Sequence, residues 1–105
     1  MGEIAVAGAL AERGYTILGQ QVYVRVPAGL RITDFLVTGG NAGRTLAGFE
    51  VKVNSSVRSS LQILKDNQIA TTGGIVASRG GIPGAGLSYG DPIKYKTYEM
   101  FIDNR

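Results

Sequence analysis

Ala47-Gly48-Phe49-Glu50-Val51-Lys52-Val53 is the stretch on which the fold turns. Phe49, Val51 and Val53 fall on one face of an extended chain, and Glu50 and Lys52 fall on the other. That is the period of two expected of a half-buried β-strand. Just upstream, Leu30 to Val37 forms another strand-like run, and it contains Asp34. Between the two lies Gly39-Gly40-Asn41-Ala42-Gly43, a turn by composition. The two runs therefore read as a hairpin on which Asp34, Glu50 and Lys52 converge.

Outward from this hairpin, Tyr15 to Val26 reads as a strand broken at Pro27-Ala28-Gly29. Residues 3–13 read as a helix, with Val6, Ala7 and Leu10 on the stripe that starts at Glu3, and Gly14 stops it. On the same helix Glu12 is turned half a revolution away from Glu3 and is expected to face water. Downstream, Asn54-Ser55-Ser56 offers helix-capping side chains. A helix over 57–70 follows, its stripe formed by Val57, Leu61, Leu64 and Gln68. Gly73-Gly74 ends it, and Ile75-Val76-Ala77 is a short strand.

Residues 79–92 hold five glycines and two prolines, and read as a mobile loop with few side chains to anchor it. Gly84-Ala85-Gly86 does not continue into the spacing of a dinucleotide loop. The alternation over 93–102 suits a final strand, with Tyr95 and Tyr98 on opposite faces. The expectation is one domain over residues 1–105, an α/β fold of the α+β sandwich type. Its order is α-β-β-β-α-β-loop-β, with a central mixed sheet flanked by helices.

Composition removes whole classes of chemistry. The 105 residues include no cysteine and no histidine. Disulfides, thiolate nucleophiles, zinc fingers and histidine-based triads are thereby excluded. Catalysis is left to carboxylates, lysine, amides and a bound metal. A net charge of +3 leans toward an anionic partner such as nucleic acid, and equally suits ordinary solubility. Arg25, Arg31, Arg44, Lys65 and Arg79 are candidates for a nucleic-acid path, or scattered surface charge. No run reaches the roughly 18 apolar residues of a membrane span. Met1-Gly2-Glu3 lacks the basic start of a secretory signal.

Two readings of Asp34 with Glu50 and Lys52 stand on the residues alone. One is a solvated strand face with weak ion pairing. The other is a pair of hard oxygen donors suited to magnesium or manganese, with a lysine beside them.

The segments taken together resemble the PD-(D/E)XK, or restriction-endonuclease-like, nuclease core. Gly2-Glu3, Leu10 and Gly14-Tyr15 resemble its opening helix, and Asp34 followed by Glu50-Val51-Lys52 resembles its hairpin. Thr33 replaces the superfamily's eponymous proline, which is commonly absent. Gln62 and Asp66 ahead of Gly73-Gly74 look like the helix of nuclease toxins from bacterial contact-dependent inhibition and polymorphic systems. The resemblance covers residues 2–77.

It implies a metal-dependent nuclease with Glu3, Asp34, Glu50, Lys52 and Gln62 at the active site. Asp34, Glu50 and the carbonyl of Val51 would hold Mg2+ or Mn2+, with Zn2+ less suited, and Lys52 would orient the attacking water. The substrate would be DNA or, as the second choice, tRNA. Such a toxin is delivered as the C-terminal part of a larger secreted bacterial protein. It acts in the target-cell cytoplasm and is neutralised by a cognate immunity protein. The alternatives are a cytoplasmic Holliday-junction resolvase or repair nuclease, and a non-enzymatic basic nucleic-acid-binding domain.

Overall fold

Three long strands and two helices account for most of the chain. The computed structural model describes residues 2–40, 43–53 and 57–102, with the backbone alone for 2–5, 44 and 102. Helix α1 (Gly2–Glu12) leads into β1 (Tyr15–Val26), β2 (Gly29–Gly39) and β3 (Gly43–Val53). Helix α2 (Ser60–Thr71), β4 (Gly74–Val76), a 3-10 turn (Pro83–Ala85), β5 (Pro92–Ile93) and β6 (Lys96–Ile102) follow. The result is an α+β fold whose six-stranded mixed sheet has the order β5-β4-β1-β2-β3-β6. Neighbouring strands are antiparallel except β3 and β6, which run parallel.

The side-chain alternation of β2 breaks at Asp34. Arg31 and Thr33 reach one face, where they meet Asp66 of α2 and Tyr95. Phe35 and Val37 instead pack with Val6 and Leu10 of α1 on the other face. In an unbroken strand all four would share a face. Across from Asp34, between the pairs Gln20–Phe35 and Val22–Thr33, stands Gln21 with φ of 51°. The long hairpin bends here.

The chain path shows how sharply the sheet folds. β5 and β6 lie on opposite edges of the sheet, yet only Lys94 and Tyr95 separate them. From Ile93 to Lys96 the chain spans at most about 11 Å. Five strand spacings of a flat sheet come to about 24 Å. The two halves of the sheet are therefore folded toward each other, and Tyr95 is buried between them. Its hydroxyl lies 2.7 Å from Thr33 Oγ1. Gly48 is required beneath its ring, because a Cβ there would stand 2.7 Å from Tyr95 Cε1.

Two cores result. Val6, Leu10, Phe35, Val37, Ala47 and Phe49 form the one under α1, and Glu12 on the far side of that helix is exposed. Val22, Val24, Leu36, Ile69, Val76, Ile82, Ile93 and Tyr95 belong to the other, under α2.

Several expectations are corrected. α2 is capped by Ser59, with Gln62 completing a capping box, while Asn54-Ser55-Ser56 lie outside the described residues. The stripe read as its inner face is turned outward: Val57 is 69% exposed and Leu61 52%, whereas Asp66 and Ile69 are buried. The expected strand over 93–102 is two strands, because the chain must leave one sheet edge and join the other. The glycine-rich segment is anchored as well. Ile82 is buried, bridges to Leu87, and the Gly84 backbone seats on Leu18, where a Cβ would collide with the Leu18 carbonyl. Among the described residues, no helix is long and apolar enough to cross a membrane.

Candidate active site

β2 and β3 pair from Gly39–Gly43 to Phe35–Phe49 and then part, and β3 continues beside β6 to Val53. Asp34 and Glu50 stand at the mouth of that gap. Asp34 takes over the ladder's role: its Oδ2 accepts the Val51 backbone N–H at 2.8 Å, and its Oδ1 accepts from Gln21 Nε2 at 3.3 Å. A cleft of about 340 Å³ opens here, lined by Gln21, Leu30, Asp34, Glu50, Gln62 and Lys65 among others.

Glu50 is 7% exposed and sits within a chain of charges. Its Oε1 is 3.1 Å from Arg31 Nη2, and its Oε2 is 3.5 Å from Lys52 Nζ. Arg31 also grips Asp66 with Nε and Nη2, at 2.7 and 3.2 Å. Arg58 adds Nη1 to Asp66 at 2.8 Å, and its Nε lies 3.2 Å from Glu99 Oε1 as an ion contact without hydrogen-bond alignment. The second oxygen of Glu99 is buried and has no donor among the described residues.

The members of this chain do not benefit equally. Burial alone would lower the pKa of Arg31, but the hydrogen bond and charge of Asp66, followed by Glu50, outweigh it and hold the guanidinium charged. Burial raises Glu50 above the ordinary carboxylate range, and the nearby Asp34 charge adds to the rise. Arg31 and Lys52 offset this only in part. Glu50 is thus the strained charge of the cluster. Burial likewise pushes the Tyr95 hydroxyl up to about 12, so it remains a neutral partner of Thr33.

Of the residues expected at the site, the structure brings Asp34, Glu50, Lys52 and Gln62 together. Gln62 Oε1 lies 3.5 Å from Lys52 Nζ while also accepting the Ser59 N–H of the helix cap. Glu3 lies on α1, and its side chain is outside the described residues. Arg31, a candidate for a nucleic-acid path or for surface charge, is neither: it is buried and committed to Asp66 and Glu50. Arg25 and Arg79 are exposed, Lys65 is half-buried with Nζ donating to the Leu30 carbonyl, and the Arg44 side chain is outside the described residues. Gln21 was not foreseen, since no residue pattern marks a glutamine for the left-handed region. Among the described residues no group of three or more acids is placed to hold a metal ion, and the carboxylates lining the cleft are those of Asp34 and Glu50.

The chain matches no family model, no curated protein and no solved structure.

Proposed function

We propose that this cleft hydrolyses phosphodiester bonds in nucleic acid with the aid of a divalent metal. The observation that carries the proposal is the meeting of Asp34, Glu50, Lys52 and Gln62 where β2 and β3 part. The element order supports a restriction-endonuclease-like core: a helix, three antiparallel strands, a helix and, after the short β4 and β5, β6 parallel to β3.

The donors suit magnesium or manganese, which are commonly held by one or two carboxylates and complete their shell with water and substrate phosphate. Asp34 and Glu50 supply those carboxylates. In a strand a residue's N–H and C=O leave on the same edge, so the Val51 carbonyl belongs to the edge that donates to Asp34. A cation held there would stabilise the charge that develops on the phosphoryl oxygens. Lys52, poised between Glu50 and Gln62, donates to the attacking water and to a phosphate oxygen. Gln62 fixes the direction of that ammonium group. Arg31 holds Glu50 Oε1, leaving Oε2 on the side of Lys52.

Supercoiled plasmid and total tRNA, each incubated with Mg2+ and with EDTA, test the proposal. Metal-dependent cleavage of either is the expected result, and intact substrate under all conditions would overturn it. Growth arrest on expression, relieved by a neighbouring gene product, would extend the reading to a toxin with an immunity protein.

A further inference from the structure

A second pocket of about 330 Å³ adjoins the cleft. It lies between β1 and the segment around Ser78–Pro83, and Gln21 lines both spaces. Its walls are fixed by backbone contacts. Tyr23 N–H donates to Ser78 Oγ at 2.8 Å, Ala77 N–H donates to the Tyr23 carbonyl at 2.8 Å, and Gly84 seats against Leu18. Into this space come Tyr23, 38% exposed, and Arg79, which is exposed and makes no hydrogen bond or ion pair among the described residues. Gln20 adds an amide group.

We infer that this pocket receives an unstacked base of the nucleic acid, next to the phosphate that a divalent cation on Asp34 and Glu50 would hold. The inference rests on the proposed function and names its substrate class: single-stranded or looped nucleic acid. A tyrosine offers a stacking surface that accepts any base, and a free guanidinium beside it meets the phosphate or stacks on the base. An amide at the rim suits the hydrogen-bonding edge of a base that no longer pairs. The space is at the lower end of small-ligand sites, with room for one nucleotide and none for a base still stacked in a duplex. Continuity through Gln21 places the extruded base one step from the cleft.

Binding of a fluorescent single-stranded oligonucleotide and of its duplex, measured in EDTA, tests this without requiring cleavage. The single strand is expected to bind more tightly than the duplex. Tyr23→Leu should weaken single-strand binding roughly tenfold. Arg79→Ala should reduce the slope of log affinity against log salt by about 0.7, one phosphate contact on a single strand. Thermal melts of both variants guard against loss of fold, and the exposed Arg79 serves if Tyr23→Leu does not fold. Equal binding by wild type and variants, preference for the duplex, or no binding at all would overturn the inference. Selective single-strand binding without cleavage would overturn the proposed function and leave the pocket standing. Cleavage with unaltered Tyr23→Leu and Arg79→Ala binding would do the reverse.

Discussion

The carboxylate of Asp34 accepts the backbone N–H of Val51 at 2.8 Å, at the point where the β2–β3 ladder has ended. One side chain both closes an open backbone bond and presents charge to the cleft. The two roles separate by substitution. Asp34→Asn keeps an acceptor for Val51 and should melt within about 1 kcal/mol of wild type, whereas Asp34→Ala should cost about 1–2 kcal/mol. Both should lose cleavage, so wild-type rates in either variant would remove Asp34 from the site.

Glu50 makes a pH prediction. Its pKa in the folded protein is raised, mainly by burial, so between the ordinary carboxylate range and that raised value the folded state binds more protons than the unfolded. Stability therefore falls as pH rises through this window and levels off above the folded pKa. Glu50→Gln removes the effect. Melts from about pH 4 to pH 7 should show the variant gaining on wild type with rising pH, and a constant difference would contradict the assignment.

Gln21 holds φ of 51° beside Asp34, a conformation that costs most side chains about 1–2 kcal/mol and that asparagine tolerates better. Gln21→Asn should therefore raise stability by a few tenths to about 1 kcal/mol. Its shorter amide falls short of Asp34, and cleavage should drop. A variant that is less stable than wild type, measured by chemical denaturation, would place the strain elsewhere.

Gly48→Ala drives a methyl group against the Tyr95 ring and the Thr33 methyl, at 2.7 and 3.0 Å. The expected loss is roughly 1–3 kcal/mol, or some 4–8 °C of melting temperature per kcal/mol in a domain of this size. An unchanged melting temperature would show that the sheet is not closed around Tyr95 as described.

On α2 the buried and exposed faces give opposite expectations. Ile69→Ala should cost about 2–5 kcal/mol, while Leu61→Gln and Leu64→Gln should stay within about 0.5 kcal/mol. Loss of fold in the latter pair would restore the inward stripe.

These residues also show what the sequence made legible. The alternation of Glu50 and Lys52 against Phe49 and Val51 locates β3 and its polar face, because a period of two survives where β3 stays extended beside β6. α2 is hard to read because Leu61, Ile63 and Leu64 face outward, and Ile69 is the large apolar side chain that it buries. The sheet-facing positions are held by Asp66, Gln62 and Lys65, which meet Arg31, Lys52 and the Leu30 carbonyl. A side chain whose burial depends on a distant charge carries no mark of it in its own neighbourhood. Arg31 reads as a path residue or surface charge for the same reason, since Asp66 lies 35 residues away. The bend at Gln21 and Asp34 was equally hidden, because alternation over a whole strand presumes that the strand is flat.

β6 lies beside β3 with Glu99 in register with Glu50, nearly half the chain later. Parallel pairing across such a separation closes a long loop and is slow to form. The polar end of β3, parted from β2, has β6 as its one strand neighbour among the described residues. Refolding should therefore recover helical signal and the β1–β2 hairpin before it recovers any competence of the cleft. During synthesis the same order holds. A chain emerging from the ribosome carries Asp34, Glu50 and Lys52 well before it carries Lys96–Ile102, so under the proposed function it should stay inert until β6 docks.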